Sequence, residues 1–263
     1  MSAGLHHSTV DGLHYVEEGL ETGPVVMMIH GSLDRGAGML RISRHIQKWA
    51  RVIRFDRRGY ASNVGHNGPF TVPGNTDDVV QILAGRPAVL VGHSFGGNIA
   101  LAAAARLGDQ ISGVSTYETP LSWFEWWPRH TAGAASLQVS QEDAAEAFMI
   151  RLIGDRRWND LPDRTKAERR REGPALTNEL QSIRLEAPWL AEDIQCPVLC
   201  GYGSKGLEHH QKGALWLGEH LPHGRSVLIE GAGHGAPNSH AEEFAKHLIP
   251  PHFESDGTLR VMS

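Results

Sequence analysis

Cysteine is nearly missing from this sequence. Cys196 and Cys200 alone occur in 263 residues, so no disulfide framework holds the chain. Pro197-Val198-Leu199 between them reads as extended chain, which sets them roughly 13 Å apart, whereas a disulfide needs Cα atoms within about 7 Å. No second Cys or His pair falls at zinc-ligand spacing, and two small buried thiols are expected instead. Positive charge is also in deficit. A formal charge of -5 and a pI near 6.3 leave no basic footprint for nucleic acid. No apolar run is long enough to span a bilayer. Met1 to Val10 has neither a charged start nor an apolar stretch, so no secretory signal is read there and the cytoplasm is the expected compartment. Internal repeats and low-complexity tracts are absent as well. With 40% hydrophobic and 21% charged residues, what remains is the composition of a soluble globular protein able to bury a large core.

What is present is a rhythm of short apolar runs separated by amphipathic stretches. Val25 to Ile29, Arg51 to Phe55, Ala88 to Val91, Ile111 to Tyr117, Val198 to Tyr202 and Ser226 to Ile229 read as buried strands. Continuous apolar runs imply burial on both faces, hence a parallel sheet covered by helices. Leu5 to Val10 and Leu13 to Val16 alternate apolar and polar residues and read as a half-exposed antiparallel edge. The buried runs end in Gly, Asp, Glu, His or Ser, at the end of the sheet where open parallel folds bind ligands. From Leu121 to about Asp193 the rhythm stops. That stretch has helical patterning, including Ala144 to Ile153 and the charged Arg164 to Glu172, and holds five of the seven tryptophans. It reads as a helical insertion after the sixth strand, with a water-excluding lid as the expected role and a purely stabilising layer as the alternative.

Gly92-His93-Ser94-Phe95-Gly96-Gly97 joins an apolar strand to the helix-forming run Asn98 to Ala105. A serine exposed on a sharp strand-to-helix turn needs small neighbours, and the glycines supply them. The turn also aims the Phe95 N–H and the helix N-terminus at a developing oxyanion. Gly231-Ala232-Gly233-His234-Gly235 follows the last strand and can present an imidazole on a tight loop.

With these motifs the chain resembles the α/β-hydrolase family over nearly its whole length outside the helical insertion. The resemblance implies a mostly parallel eight-stranded sheet flanked by helices, with core residues 1–120 and 194–263 and a helical cap at 121–193. It implies Ser94 as nucleophile and His234 as base, with no metal and no cofactor. His30-Gly31-Ser32 is similar to the family's H-G-x segment, so the second oxyanion donor would be the N–H of Ser32, or else of Leu33. Asp56-Arg57-Arg58-Gly59-Tyr60-Ala61-Ser62 resembles a family turn that holds loops near the site, which makes Asp56 structural. His30, His93 and the pairs His6-His7 and His209-His210 are read as structural or solvated.

The acid departs from the family pattern. Gly206 stands where an aspartate is usual after the seventh strand, and the next carboxylate is Glu208. The sixth strand ends Tyr117-Glu118-Thr119-Pro120, similar to a subset of the family that takes its acid there. Glu118 is preferred, with Glu208 or a dyad as alternatives. Trp123, Trp126 and Trp127, with Phe124, are candidates to line a substrate pocket or to anchor the insertion. The resemblance implies cleavage of a small-molecule carboxylic ester or lactone with an apolar acyl part, and no nucleic-acid or membrane partner. Thioesters, amides, activated C–C bonds or cofactor-free perhydrolysis on the same triad are alternatives, and Ser94 argues against the aspartate-dependent dehalogenases and epoxide hydrolases. A small-molecule receptor on a hydrolase scaffold is the alternative of another class.

Overall fold

Eight strands form one sheet in the order β1-β2-β4-β3-β5-β6-β7-β8 in a computed structural model that describes residues 4–253. The strands are β1 (Gly4–Val10), β2 (Leu13–Gly19), β3 (Val25–Ile29), β4 (Arg51–Phe55), β5 (Ala88–His93), β6 (Ile111–Tyr117), β7 (Val198–Gly203) and β8 (Gly224–Ile229). Asp11 and Gly12 both have positive φ, the geometry of a two-residue hairpin turn, and they pair β1 with β2 antiparallel. β2 also runs antiparallel to β4, and every other pair is parallel. Residues 1–3 and 254–263, the outermost parts of the expected core, lie outside the described residues.

Alternation along the strands feeds two apolar layers. Met27, Ile29, Ile53 and Leu90 face α2 (Val72–Leu83), α3 (Phe95–Leu107) and α9 (Glu208–His220). Val26, Met28, Val52, Val89 and Val91 face α1 (Leu40–Ile46) and α11 (Ala241–Leu248), which follows the short α10 (Ala236–Ser239). β8 differs from its expected burial. It pairs only with β7, and five of its six residues are exposed or half-buried, because an edge strand has no neighbour to cover it. Cys200 lies buried in β7, and Cys196 is half-buried just before it; burial pushes the two thiols up to about 12 and about 11.

β3 connects to β4 on one side, and the chain then crosses back over β3 to reach β5 on the other. This reversal is the switch point where an open α/β sheet leaves a crevice at its carboxyl ends. Ser32 follows β3 there, and Ser94 follows β5.

Between β6 and β7 run five α-helices, α4 (Ala132–Ser136), α5 (Gln141–Ile153), α6 (Asp155–Asn159), α7 (Asp163–Arg171) and α8 (Gly173–Leu185), and a 3-10 turn at Ala191–Asp193. The side chain of Ser140 accepts the Asp143 N–H at 3.2 Å and caps α5, which Gly154 ends at φ 87°. Ala144, Ala145, Ala175, Leu176 and Leu180 from α5 and α8 pack on Leu33 and Tyr60 of the sheet loops. At the far end of the segment the Trp189 indole N–H donates to Asn98 of α3 at 3.0 Å. No helix among the described residues is long and apolar enough to cross a membrane.

Candidate active site

Ser94 occupies the turn between β5 and α3 with φ 53° and ψ -124°, a backbone state that only a tightly packed surrounding maintains. Its N–H donates to the Tyr117 carbonyl at 2.9 Å, and its carbonyl accepts from Gly97 at 2.9 Å. A Cβ on Gly92, Gly96 or Gly97 would collide with the Gly96 carbonyl, the Ile29 carbonyl or the Thr119 hydroxyl, so the flanking glycines are steric requirements. Gly31 is also needed small, since a Cβ there would lie 2.9 Å from the Cβ of Ser94.

Glu118 follows β6 directly, fully buried and at φ 46°. His234 Nδ1 donates to Glu118 Oε2 at 2.8 Å, and the Gly203 N–H donates to Oε1 at 3.2 Å. A carboxylate can only accept, so the imidazole carries its proton on Nδ1 and presents the Nε2 lone pair. Gly206 is explained by the same carboxylate: a Cβ at position 206 would overlap Glu118 Oε1. Leu33 (φ 50°), Ser94 and Glu118 are three of the six non-glycine residues with positive φ among the described residues, and they lie in the connections that follow β3, β5 and β6.

His234 is held on both sides. The His93 Nε2–H donates to the His234 carbonyl at 2.9 Å, and the Tyr117 hydroxyl donates to the Gly233 carbonyl at 3.1 Å. The His210 ring stacks on the His234 ring at 4.7 Å and 26°. Burial, then the proximity of His234, holds the His210 imidazole well below its ordinary value and keeps it neutral.

The loop after β3 is anchored from the helical segment. Glu179 of α8 accepts from the Ser32 hydroxyl at 2.5 Å, the Tyr60 hydroxyl at 2.6 Å and Arg57 at 2.8 Å. Arg57 also donates to the carbonyls of His30 and Gly31, at 3.0 and 3.1 Å. Both side chains of the Arg57–Glu179 pair are fully buried. Removal of either partner would strand a charge in the interior, so the pair constrains where Ser32 sits. Phe95 is the first residue of α3, immediately after Ser94, where a backbone N–H has no partner one turn back along the helix.

Ser32, Ser94 and His234 line one cavity of about 750 Å³, part of whose wall comes from the helical segment. Trp126, Trp127, Leu180 and Ile183 give it apolar walls. The volume suits a small molecule.

The sequence matches the model described as the alpha/beta hydrolase family over residues 26–247. The chain belongs to that family. It is 28% identical over 249 residues to a pimeloyl-[acyl-carrier protein] methyl ester esterase of Chromobacterium violaceum, covering 88% of this chain and 95% of that protein. It is 28% identical over 188 residues to lipase LipV of Mycobacterium tuberculosis, covering 67% and 70%. The fold matches the enol-lactonase of Burkholderia xenovorans LB400 with a TM-score of 0.71 at 22% identity, covering 92% and 97%. This alpha/beta hydrolase is therefore an enzyme of the hydrolase class.

Of the aromatic residues expected at the pocket, Trp126 and Trp127 line it and Trp123 does not. Trp123 packs edge-on against Trp189, with ring centroids 5.5 Å apart, where both anchor the helical segment to α3. Glu208 lies exposed at the start of α9 and lines the cavity, but His234 pairs with Glu118 instead. Asp56 accepts from Gly36 N–H at 2.8 Å and from the Ser62 hydroxyl at 2.7 Å, a loop-bracing role. Glu118, His210 and His234 are the group of three side chains among the described residues that could offer a metal ion donor atoms within 4.8 Å of one another, and Glu118 and His234 are already joined by a hydrogen bond.

His93 predicts an acid-labile fold. Burial, reinforced by His234, lowers its pKa from 6.5 to about 3. The unfolded chain binds a proton there that the folded chain refuses, so stability is full above pH 6.5 and falls as pH drops toward 3. From pH 7 to pH 5 the loss is about 2 kcal/mol, and the buried His30 and His210 add to it in the same direction. Thermal melts should show a lower midpoint at pH 5 than at pH 7, with the difference reduced in His93→Asn. A midpoint independent of pH in both proteins would refute the buried neutral histidine.

Proposed function

We propose that this alpha/beta hydrolase is a serine hydrolase that cleaves a carboxylic ester or lactone with an apolar acyl chain. The observation that carries the reading is the 2.8 Å bond from His234 to the buried Glu118 at the edge of the cavity that Ser94 lines. Ser94 is the nucleophile, His234 the base and Glu118 the acid that orients it; residues 121–193 act as a cap over the core of 1–120 and 194–263. Similarity to a methyl ester esterase and a lipase supports the ester, and the shared fold of an enol-lactonase agrees with it.

Ser94 Oγ attacks the acyl carbon while its proton passes to His234 Nε2. The N–H groups of Phe95 and Ser32 hold the oxyanion of the tetrahedral intermediate. Collapse expels the alkoxide, which takes the proton from Nε2 and leaves an acyl-enzyme. Water, deprotonated by His234, attacks the same carbon; the acid departs and Ser94 regains its proton. The buried Glu118 carboxylate keeps the imidazole in the required tautomer and offsets the charge that forms on it. Such an assembled pair also weighs against a receptor without turnover.

A panel of p-nitrophenyl esters, thioesters and anilides of equal acyl length tests the reading. The esters should be turned over fastest, with a burst of p-nitrophenol equal to the enzyme present. Turnover of thioesters or anilides with inert esters would overturn the substrate class.

A further inference from the structure

The charge on the cavity wall is unequal: Arg151, Arg184 and Lys212 face it, against the single carboxylate of Glu208. Arg151 and Lys212 are exposed, with Arg151 donating to the His130 carbonyl at 3.1 Å and Lys212 lying 4.5 Å from the centre of the Trp126 ring. Arg184 is different. It is half-buried in the last turn of α8, and burial lowers its pKa with no carboxylate offsetting the effect. Among the described residues no ion pair or hydrogen bond engages its guanidinium.

Elsewhere the fold pairs the guanidinium groups it buries fully, and the half-buried Arg35, also outside any ion pair, does not line the cavity. Arg54 meets Glu18, Arg57 meets Glu179 and Arg58 meets Asp78. Withdrawing a charge from water without a partner is costly, so an unpaired guanidinium facing a cavity calls for an anion from outside the chain. The helical period specifies where that anion would sit. Leu180, Ile183 and Arg184 share one face of α8, so the cation borders the apolar wall. Glu179, which grips Ser32, stands five residues earlier, about 7.5 Å back along the helix axis. Ser94 and Arg184 line the same cavity of about 750 Å³, which leaves room for a short aliphatic chain between a carbonyl at one and an anion at the other.

We propose that Arg184 anchors a carboxylate at the far end of the acyl chain, which makes the preferred substrate the monoester of an aliphatic dicarboxylic acid. The planar guanidinium fork matches a carboxylate in two parallel hydrogen bonds. The proposal rests on the serine-hydrolase reading and sharpens its substrate class.

Monomethyl adipate and methyl hexanoate, of equal acyl length, differ in the terminal carboxylate and serve as the probe pair. The wild-type kcat/KM should favour monomethyl adipate by at least about tenfold, with the gap mainly in KM. Arg184→Ala should erase the gap, Arg184→Lys should keep part of it, and Arg184→Glu should transfer the preference to methyl 6-aminohexanoate. Calorimetry on Ser94→Ala reads binding without turnover, and there too the gap should be present and be lost on adding Arg184→Ala. Equal handling of both esters by the wild type, or a gap that survives Arg184→Ala, would overturn the carboxylate anchor. A binding gap that depends on Arg184, without turnover of either ester by the wild type, would support the anchor and overturn the hydrolase reading alone.

Discussion

Glu118→Gln is expected to lower kcat by about 10⁴-fold, the scale on which serine hydrolases lose activity when the acid becomes an amide. The substitution keeps the shape of a fully buried side chain, so its effect should be electronic rather than structural. Oε1 receives the Gly203 N–H, which fixes the amide oxygen on that side. The amide nitrogen then faces His234 Nδ1, where the carboxylate oxygen had been 2.8 Å away. A donor opposite Nδ1 forces the imidazole proton onto Nε2, the atom that must receive the proton of Ser94. Glu208→Ala should cost far less, because Glu208 is exposed and makes no bond to His234. Steady-state kinetics on a reactive ester compare the two. A Glu118→Gln enzyme within tenfold of the wild type, or equal losses in both variants, would remove Glu118 from the triad.

Ser94→Ala should lower kcat by about 10⁶-fold, as in hydrolases whose nucleophile is deleted, and leave the fold unchanged. The strain at this position lies in the backbone, at φ 53°, and alanine carries the same Cβ as serine. The Ser94 N–H bond to Tyr117 and the Gly97 bond to the Ser94 carbonyl are backbone bonds and survive the change. Melting temperature and far-UV circular dichroism should therefore match the wild type. Substantial ester turnover by the variant would mean that another residue, or water, makes the attack.

The parts of the molecule written in local patterns were legible before the structure. Uninterrupted apolar runs identified the parallel core because Met27 and Met28 face opposite layers and both are buried. β8 ran against this reading because apolar content does not distinguish a central strand from an edge one. Glu118 stands out in the sequence because a carboxylate ends β6 while Gly206 takes the usual acidic position after β7, and the structure sets Glu118 beside both Gly206 and His234. The aromatic cluster was ambiguous in sequence and divides in space: Trp126 and Trp127 turn to the cavity, while Trp123 turns to Trp189. Glu179 and Arg184 left no signal. Glu179 reaches Arg57 across 122 residues, and no periodicity encodes a pairing that depends on how the helical segment folds back over the sheet. Nothing in the sequence around His209-His210 points to a ring contact, and only the packing of α9 brings the His210 ring against His234.

The central claim is that Ser94 is activated by a working base. Intact mass after treatment with a serine-directed fluorophosphonate, followed by peptide mapping, tests it most directly. One phosphonyl adduct, on Ser94, is the predicted result. A folded protein that takes no adduct, or takes it on another residue, would contradict the account.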